Sequence, residues 1–188
     1  MSIIRQRDYS KTMRESGLLI EVNTADLEPF FASLSPKKIE LATRRAAVRT
    51  RDWLMTNLRR ELAAGANIPQ RALKTRFRKG KNEPGSSRAT MWIGLNPVAA
   101  RRIGKGISTP RGVQVGRHAF DRAFITTMRK SGYSGIFVRH GRKRLPIVEV
   151  TLDIDDDMAA LIAKYEVAAT RMFSQRLEHE VNYLLGLS

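Results

Sequence analysis

The chain has 188 residues, no cysteine and a formal charge of +16. That length fits one domain, or one domain with arms, and suffices to bury a sizeable core. The missing cysteines exclude a disulfide framework and a thiolate-ligated metal and fit folding in a cytosol, no apolar run approaches a membrane span, and Met1–Arg5 carries no signal-peptide pattern.

The distribution of charge says more than its sum. Between Arg71 and Arg144 there are 19 Lys/Arg against two acids, Glu83 and Asp121, a net of +17. The rest of the chain holds 15 Lys/Arg against 16 acids, a net of −1. All the excess cation therefore lies mid-chain. A patch of this kind implies a polyanionic partner held through counterion release. The competing reading is a solubilising surface without a partner.

In chain order, residues 1–17 are polar and of mixed charge, an expected N-terminal arm, and residues 18–188 are expected to form a single domain. Leu18–Val22 reads as a strand followed by a turn at Asn23 and Asp26. Ser35-Pro36 is a helix start, with Ser as N-cap and Pro at the first helical position, and Gly65 is the expected stop after a helix over Pro36–Ala64. At about 100° per residue, Leu41, Val48, Met55 and Leu62 share one side with Ala47, Leu54 and Leu58. Ile39, Ala42, Ala46 and Trp53 form a second stripe roughly opposite. Two apolar faces fit either a helix sandwiched in its own domain or one that buries its second face against another subunit. The second stripe is accordingly the candidate subunit interface.

Ile68-Pro69 opens an expected short helix through Phe77, with Leu73 and Phe77 one turn apart and facing the core. Lys79–Ser87 is a loop by composition, and Arg88–Leu95 a strand with Ala89, Met91, Ile93 and Leu95 on one face. Asn96–Arg117 shows no period and reads as a long glycine-rich basic excursion. Phe120–Val150 is the most structured stretch. Ile136-Phe137-Val138 and Leu145–Val150 are β-prone runs split by the basic link Gly141-Arg142-Lys143-Arg144, and a turn at Gly132-Tyr133 precedes them. They read as a β-hairpin with a cationic tip. Asp153, Asp155, Asp156 and Asp157 then open a helix over Asp156–Leu185, where acids favour the helix dipole, a better account of them than metal binding. Met158, Ile162, Tyr165, Ala169, Met172, Phe173, Leu177, Val181 and Leu184 are its buried stripe. The expected fold is α+β: an antiparallel sheet packed by the two long helices, with extended basic loops.

No set of residues carries catalysis or a cofactor. His118, His140 and His179 lack metal-ligand spacing, and His118 with Asp121 alone does not make a site. Gly104-Lys105-Gly106 lacks the strand–loop–helix frame of a phosphate-binding loop. A metal-dependent nuclease would need clustered acids in the basic region, which holds only two. The expectation is a protein that is no enzyme and takes no cofactor or metal.

The order A-F-I-x-x-M-R-x-G-Y-x-x-I-F-x-R-x-G-R-K-R-x-P-I-x-x-V resembles the minor tail protein Z family of lambda-like phages and prophages. The matching residues are Ala123, Phe124, Ile125, Met128, Gly132, Tyr133, Phe137, Arg139, Gly141, Arg144, Pro146, Ile147 and Val150. The likeness extends more weakly back to the helix near Arg44 and forward to the C-terminal helix, while residues 1 to about 35 look like an added segment. The resemblance implies a tail-completion protein, assembled in the bacterial host's cytoplasm into the virion. It would form a ring, a hexamer first and a dodecamer second, between the tail terminator and the neck or head-completion proteins, with double-stranded DNA in its lumen. The residues expected to face that DNA are Lys74, Arg76, Arg78, Lys79, Lys81, Arg101, Arg102, Lys105, Arg111, Arg142, Lys143 and Arg144. The alternative is a sequence-independent nucleic-acid-binding module of cellular origin.

Overall fold

The computed structural model describes residues 34–80, 88–141, 143 and 145–187. The expected arm and the Leu18–Val22 strand lie outside them. Among the described residues the fold is α+β: two long helices and four small antiparallel sheets.

Helix α1 spans Pro36–Gly65 and helix α4 spans Asp155–Leu185. Proline at the first position has no amide to leave unsatisfied, and the Ser35 carbonyl accepts from the amides of Lys38 and Ile39; the Ser35 side chain makes no cap bond. The stop differs from the expectation. The helix runs through Gly65, and Asn67, with φ +51°, takes the left-handed turn. At α4, Asp155–Asp157 occupy the first turn as expected, and Gly186, with φ +73°, ends the helix.

The two helices pack antiparallel, as three cross-pairs show: Arg45 and Arg49 meet Glu180, Trp53 meets Tyr165, and Glu61 meets Lys164. Along this pair the buried face of α1 changes partner. Ala42 and Ala46, fully buried, join Phe173, Leu177 and Val181 in one cluster. Leu54, Leu58, Leu62 and Ala63 join the larger core under the sheets, with Leu73, Val98, Val113, Ile136 and Met158. The second stripe of α1 is therefore corrected at Ala42 and Ala46, which have no exposed surface to offer another subunit; half-buried Ile39 packs on the same cluster, and half-buried Trp53 packs on the main core and Tyr165. One helix shows two apolar stripes because it serves two successive partners within its own chain.

The expected helix over 69–77 is shorter. Helix α2 covers Gln70–Leu73, a 3-10 turn follows over Lys74–Arg76, and Phe77 already begins β1, Phe77–Lys79. Leu73 and Phe77 are both buried, as expected. Strand β1 pairs with β2, Met91–Ile93, placing Arg78 opposite Trp92. The stretch read as an excursion is ordered in large part. It contains β3, Val98–Ala99, helix α3, Ala100–Ile103, and β4, Gly106–Thr109, which forms a meander with β5, Gly112–Val115, and β6, His118–Asp121. Gly112, with φ +155°, is required there, since a β-carbon would sit 2.1 Å from the Phe120 carbonyl oxygen. The expected hairpin is present: β8, Ser134–Arg139, pairs with β9, Ile147–Glu149, and β7, Phe124–Thr127, pairs on the other side of β8. Strand β10, Thr151–Leu152, pairs back to β3 and leads into α4.

Candidate functional site

Helix α3 is only four residues long, and its ends fix what its middle does. Ala100 and Ile103 are buried, so Arg101 and Arg102 between them turn outward. The Ala100 amide donates to the Val150 carbonyl at 2.9 Å, tying the helix to the hairpin sheet. Opposite, the 3-10 turn and β1 deliver Arg76 and Arg78. The Gly94 amide donates to the Arg76 carbonyl at 2.8 Å, extending the β1–β2 pairing to that residue. These elements enclose a groove of about 830 Å³ whose charged lining is Arg76, Arg78, Arg101, Arg102 and Glu149, a net of +3.

Each arginine is held differently. Arg76 Nη2 donates to the Pro97 carbonyl at 2.8 Å, while its Nε is shielded from solvent without a hydrogen-bond partner. Burial, and then the nearby Arg102 charge, push the Arg76 guanidinium below its usual range. Arg78 lies over the Trp92 ring, 5.4 Å from its centroid. Arg102 reaches the Thr75 hydroxyl, at 3.4 Å. Among the described residues, Arg101 is the groove arginine with a counter-charge. Its Nε donates to the Tyr133 hydroxyl at 2.6 Å and to Glu149 Oε1 at 3.2 Å, and it stacks 4.5 Å from the Tyr133 ring centroid. Tyr133 donates its hydroxyl proton to Glu149, a bond that raises the phenol above its ordinary range.

The aromatic residues thus clamp cations. Trp92 carries Arg78, and its benzo end lies against Gly94, where a β-carbon would be 2.5 Å from Cη2. Tyr133 carries Arg101. A nucleobase stacking on either ring would compete with the resident guanidinium. The accessible chemistry is several guanidinium donors converging on a shallow polar trough, which suits phosphate or carboxylate oxygens.

Of the twelve cations expected to face DNA, four line this groove. Lys74 is exposed on the 3-10 turn, Lys105 is exposed between α3 and β4, and Lys143 is exposed in the β8–β9 link. Lys79 is held by Asp52 at 2.7 Å. Arg111 sits in the β4–β5 turn beside a separate hollow of about 330 Å³. Lys81, Arg142 and Arg144 lie outside the described residues. The expectation of cations on loose loops is corrected for the groove, where short regular elements and specific contacts hold them. Sequence reasoning gave Trp92, Tyr133 and Glu149 no part in the site. The available signal was a carboxylate alternating with apolar residues in Leu145–Val150.

Among the described residues, no group of acids and histidines could hold a metal ion, and no helix is long and apolar enough to cross a membrane. His118 Nε2 is 3.3 Å from the Asn67 carbonyl oxygen, and its ring stacks on Phe120. Comparison of the chain with protein-family models, with curated proteins and with solved structures found no match.

Proposed function

We propose that the protein is a structural component of a phage virion, a tail-completion or neck protein that forms a ring joining the tail to the head connector, with its groove gripping double-stranded DNA by the phosphates. The resemblance of Ala123–Val150 to the minor tail protein Z family supports the tail assignment. The observation that carries the binding mode is the groove itself, in which Arg76, Arg78 and Arg102 have no carboxylate partner among the described residues. Uncompensated guanidinium groups of one sign repel each other and favour a polyanion between them. Aromatic rings already covered by arginines favour backbone contacts over base stacking.

The test has two measurements. Native mass determination reads assembly, for which a closed ring supports the tail reading, whereas a monomer or dimer that still binds DNA supports the cellular nucleic-acid-binding module. Duplex binding at a series of salt concentrations reads the groove. Three uncompensated arginines per chain predict a log–log slope of about −3 and no preference among sequences. Duplex binding that is absent at low salt refutes the assignment.

A further inference from the structure

The four groove arginines are not equivalent. Arg101 already meets an anion, Glu149, at 3.2 Å, and a phenol that bonds to the same carboxylate. Arg76 and Arg102 meet none among the described residues. Among the described residues, Arg76 spends one donor on the Pro97 carbonyl and keeps a shielded Nε unpartnered, and Arg102 has one long bond, to the Thr75 hydroxyl. Two neighbouring guanidinium groups repel until an anion lies between them.

We infer that the groove contains one seat for a tetrahedral phosphate oxyanion between Arg76 and Arg102, and that Glu149 is an internal anion that withholds Arg101 from it. The inference rests on the reading of the groove as a phosphate-binding surface and assigns its parts. A phosphate offers acceptor oxygens in several directions, so it can meet two guanidinium forks and the Thr75 hydroxyl together, where a single carboxylate satisfies one fork. Glu149 also explains why the groove is not sealed by its own chain: its one carboxylate is consumed at the Tyr133 end. The phosphate can come from a nucleic-acid backbone or from solution, and the two sources are separable.

The experiment compares the wild-type full-length chain with Arg102→Gln, Glu149→Gln and, as a charge control, Arg171→Gln on the exposed flank of α4. With a short duplex, Arg102→Gln is expected to weaken binding about tenfold at low salt and to flatten the salt slope by about one. Glu149→Gln releases Arg101 and is expected to tighten binding and steepen the slope by about the same amount. Arg171→Gln leaves the slope where it was. With inorganic phosphate, the melting temperature of the wild type is expected to rise by more than that of Arg102→Gln; the general salting effect of phosphate is common to both and cancels.

A phosphate-specific rise without duplex binding keeps the seat, assigns it to free phosphate and refutes the functional reading. Duplex binding in which Arg102→Gln behaves like Arg171→Gln keeps the functional reading and overturns the seat. Polyglutamate binding tighter than duplex binding, with the same loss in Arg102→Gln, overturns the phosphate assignment in favour of an acidic protein neighbour.

Discussion

Trp53 and Tyr165 meet edge to face across the two long helices, with ring centroids 5.6 Å apart and planes inclined by 65°. The Tyr165 hydroxyl donates onward to Glu61 of α1, so one aromatic pair and one hydrogen bond join the middle of the helix pair. Trp53→Ala is expected to lower folding stability by about 3 kcal/mol, at the low end for a tryptophan because the ring is half-buried. Chemical denaturation measures it, and the mass of the assembled particle should not change. A variant of unaltered stability that fails to assemble would place the ring between subunits instead.

The long helices were legible because burial against one surface imposes a period near 3.6, and α4 shows it from Met158 to Val181. The grouping of stripes on α1 was not legible. Steps of four residues drift by about 40° each, so Ala42 and Leu62 fall on opposite sides of a helical wheel, yet both are buried. A wheel carries no record of which neighbour covers which turn. The groove was half legible. Charge concentration singled out Arg76, Arg78, Arg101 and Arg102, but their convergence depends on short strands of two or three residues, too brief for any period to reveal. Glu149 and Tyr133 are 16 positions apart: the hairpin register sets Glu149 opposite Phe137, and the Tyr133 ring, edge-on to Phe137, meets the carboxylate there.

Glu180 is the one acid among the buried side chains of α4, 3% exposed and paired with Arg45 at 3.5 Å and more closely with Arg49. Both arginines are half-exposed, so water can recover them if the carboxylate is lost. Glu180→Gln keeps the shape and removes the charge; it is expected to cost about 1–3 kcal/mol, below the range for a fully buried pair. Adding the Arg49→Gln change should cost less than the sum of the two single changes, as a double-mutant cycle by denaturation would show.

Two carboxyls predict opposite pH behaviour. Glu61 is held below its ordinary range, first by its bond from Lys164 and then by that from Tyr165. Its stabilising effect is present above the unfolded value and lost as pH falls through the folded one, so Glu61→Gln should flatten the acid limb of the stability profile. Asp153 is pushed up, first by burial and then by its hydrogen bond with Asp155. The folded state therefore favours its protonated form, and ionisation weakens the fold as pH rises through the folded value. Asp153→Asn should raise the melting temperature at neutral pH, with the gain vanishing in acid. Thermal melts between pH 3 and 7 (roughly the carboxylate range and above) distinguish the two.

Gly94 offers a way to disturb the groove without touching its charge. It is buried, its amide bonds to the Arg76 carbonyl, and a β-carbon on it would lie 2.5 Å from Trp92 Cη2 and 3.0 Å from Cζ3. The indole is rigid, so Gly94→Ala must move the ring, the strand, or both. Moving the ring removes the surface over which Arg78 lies, 5.4 Å from the ring centroid; moving the strand shifts the backbone that positions Arg76. Either displacement takes an arginine out of the groove while the net charge of +16 stays as it was. Duplex binding is expected to fall about five- to tenfold, a loss of about 1 kcal/mol or slightly more, within the range for a cation–aromatic contact. Trp92→Phe should keep most of the binding and Trp92→Ala should match Gly94→Ala. A shift in tryptophan emission with the far-ultraviolet circular dichroism unchanged would locate the change in the groove. Emission that shifts while binding stays at the wild-type level would show that Arg78 works without its aromatic support, and the groove would then act through charge alone.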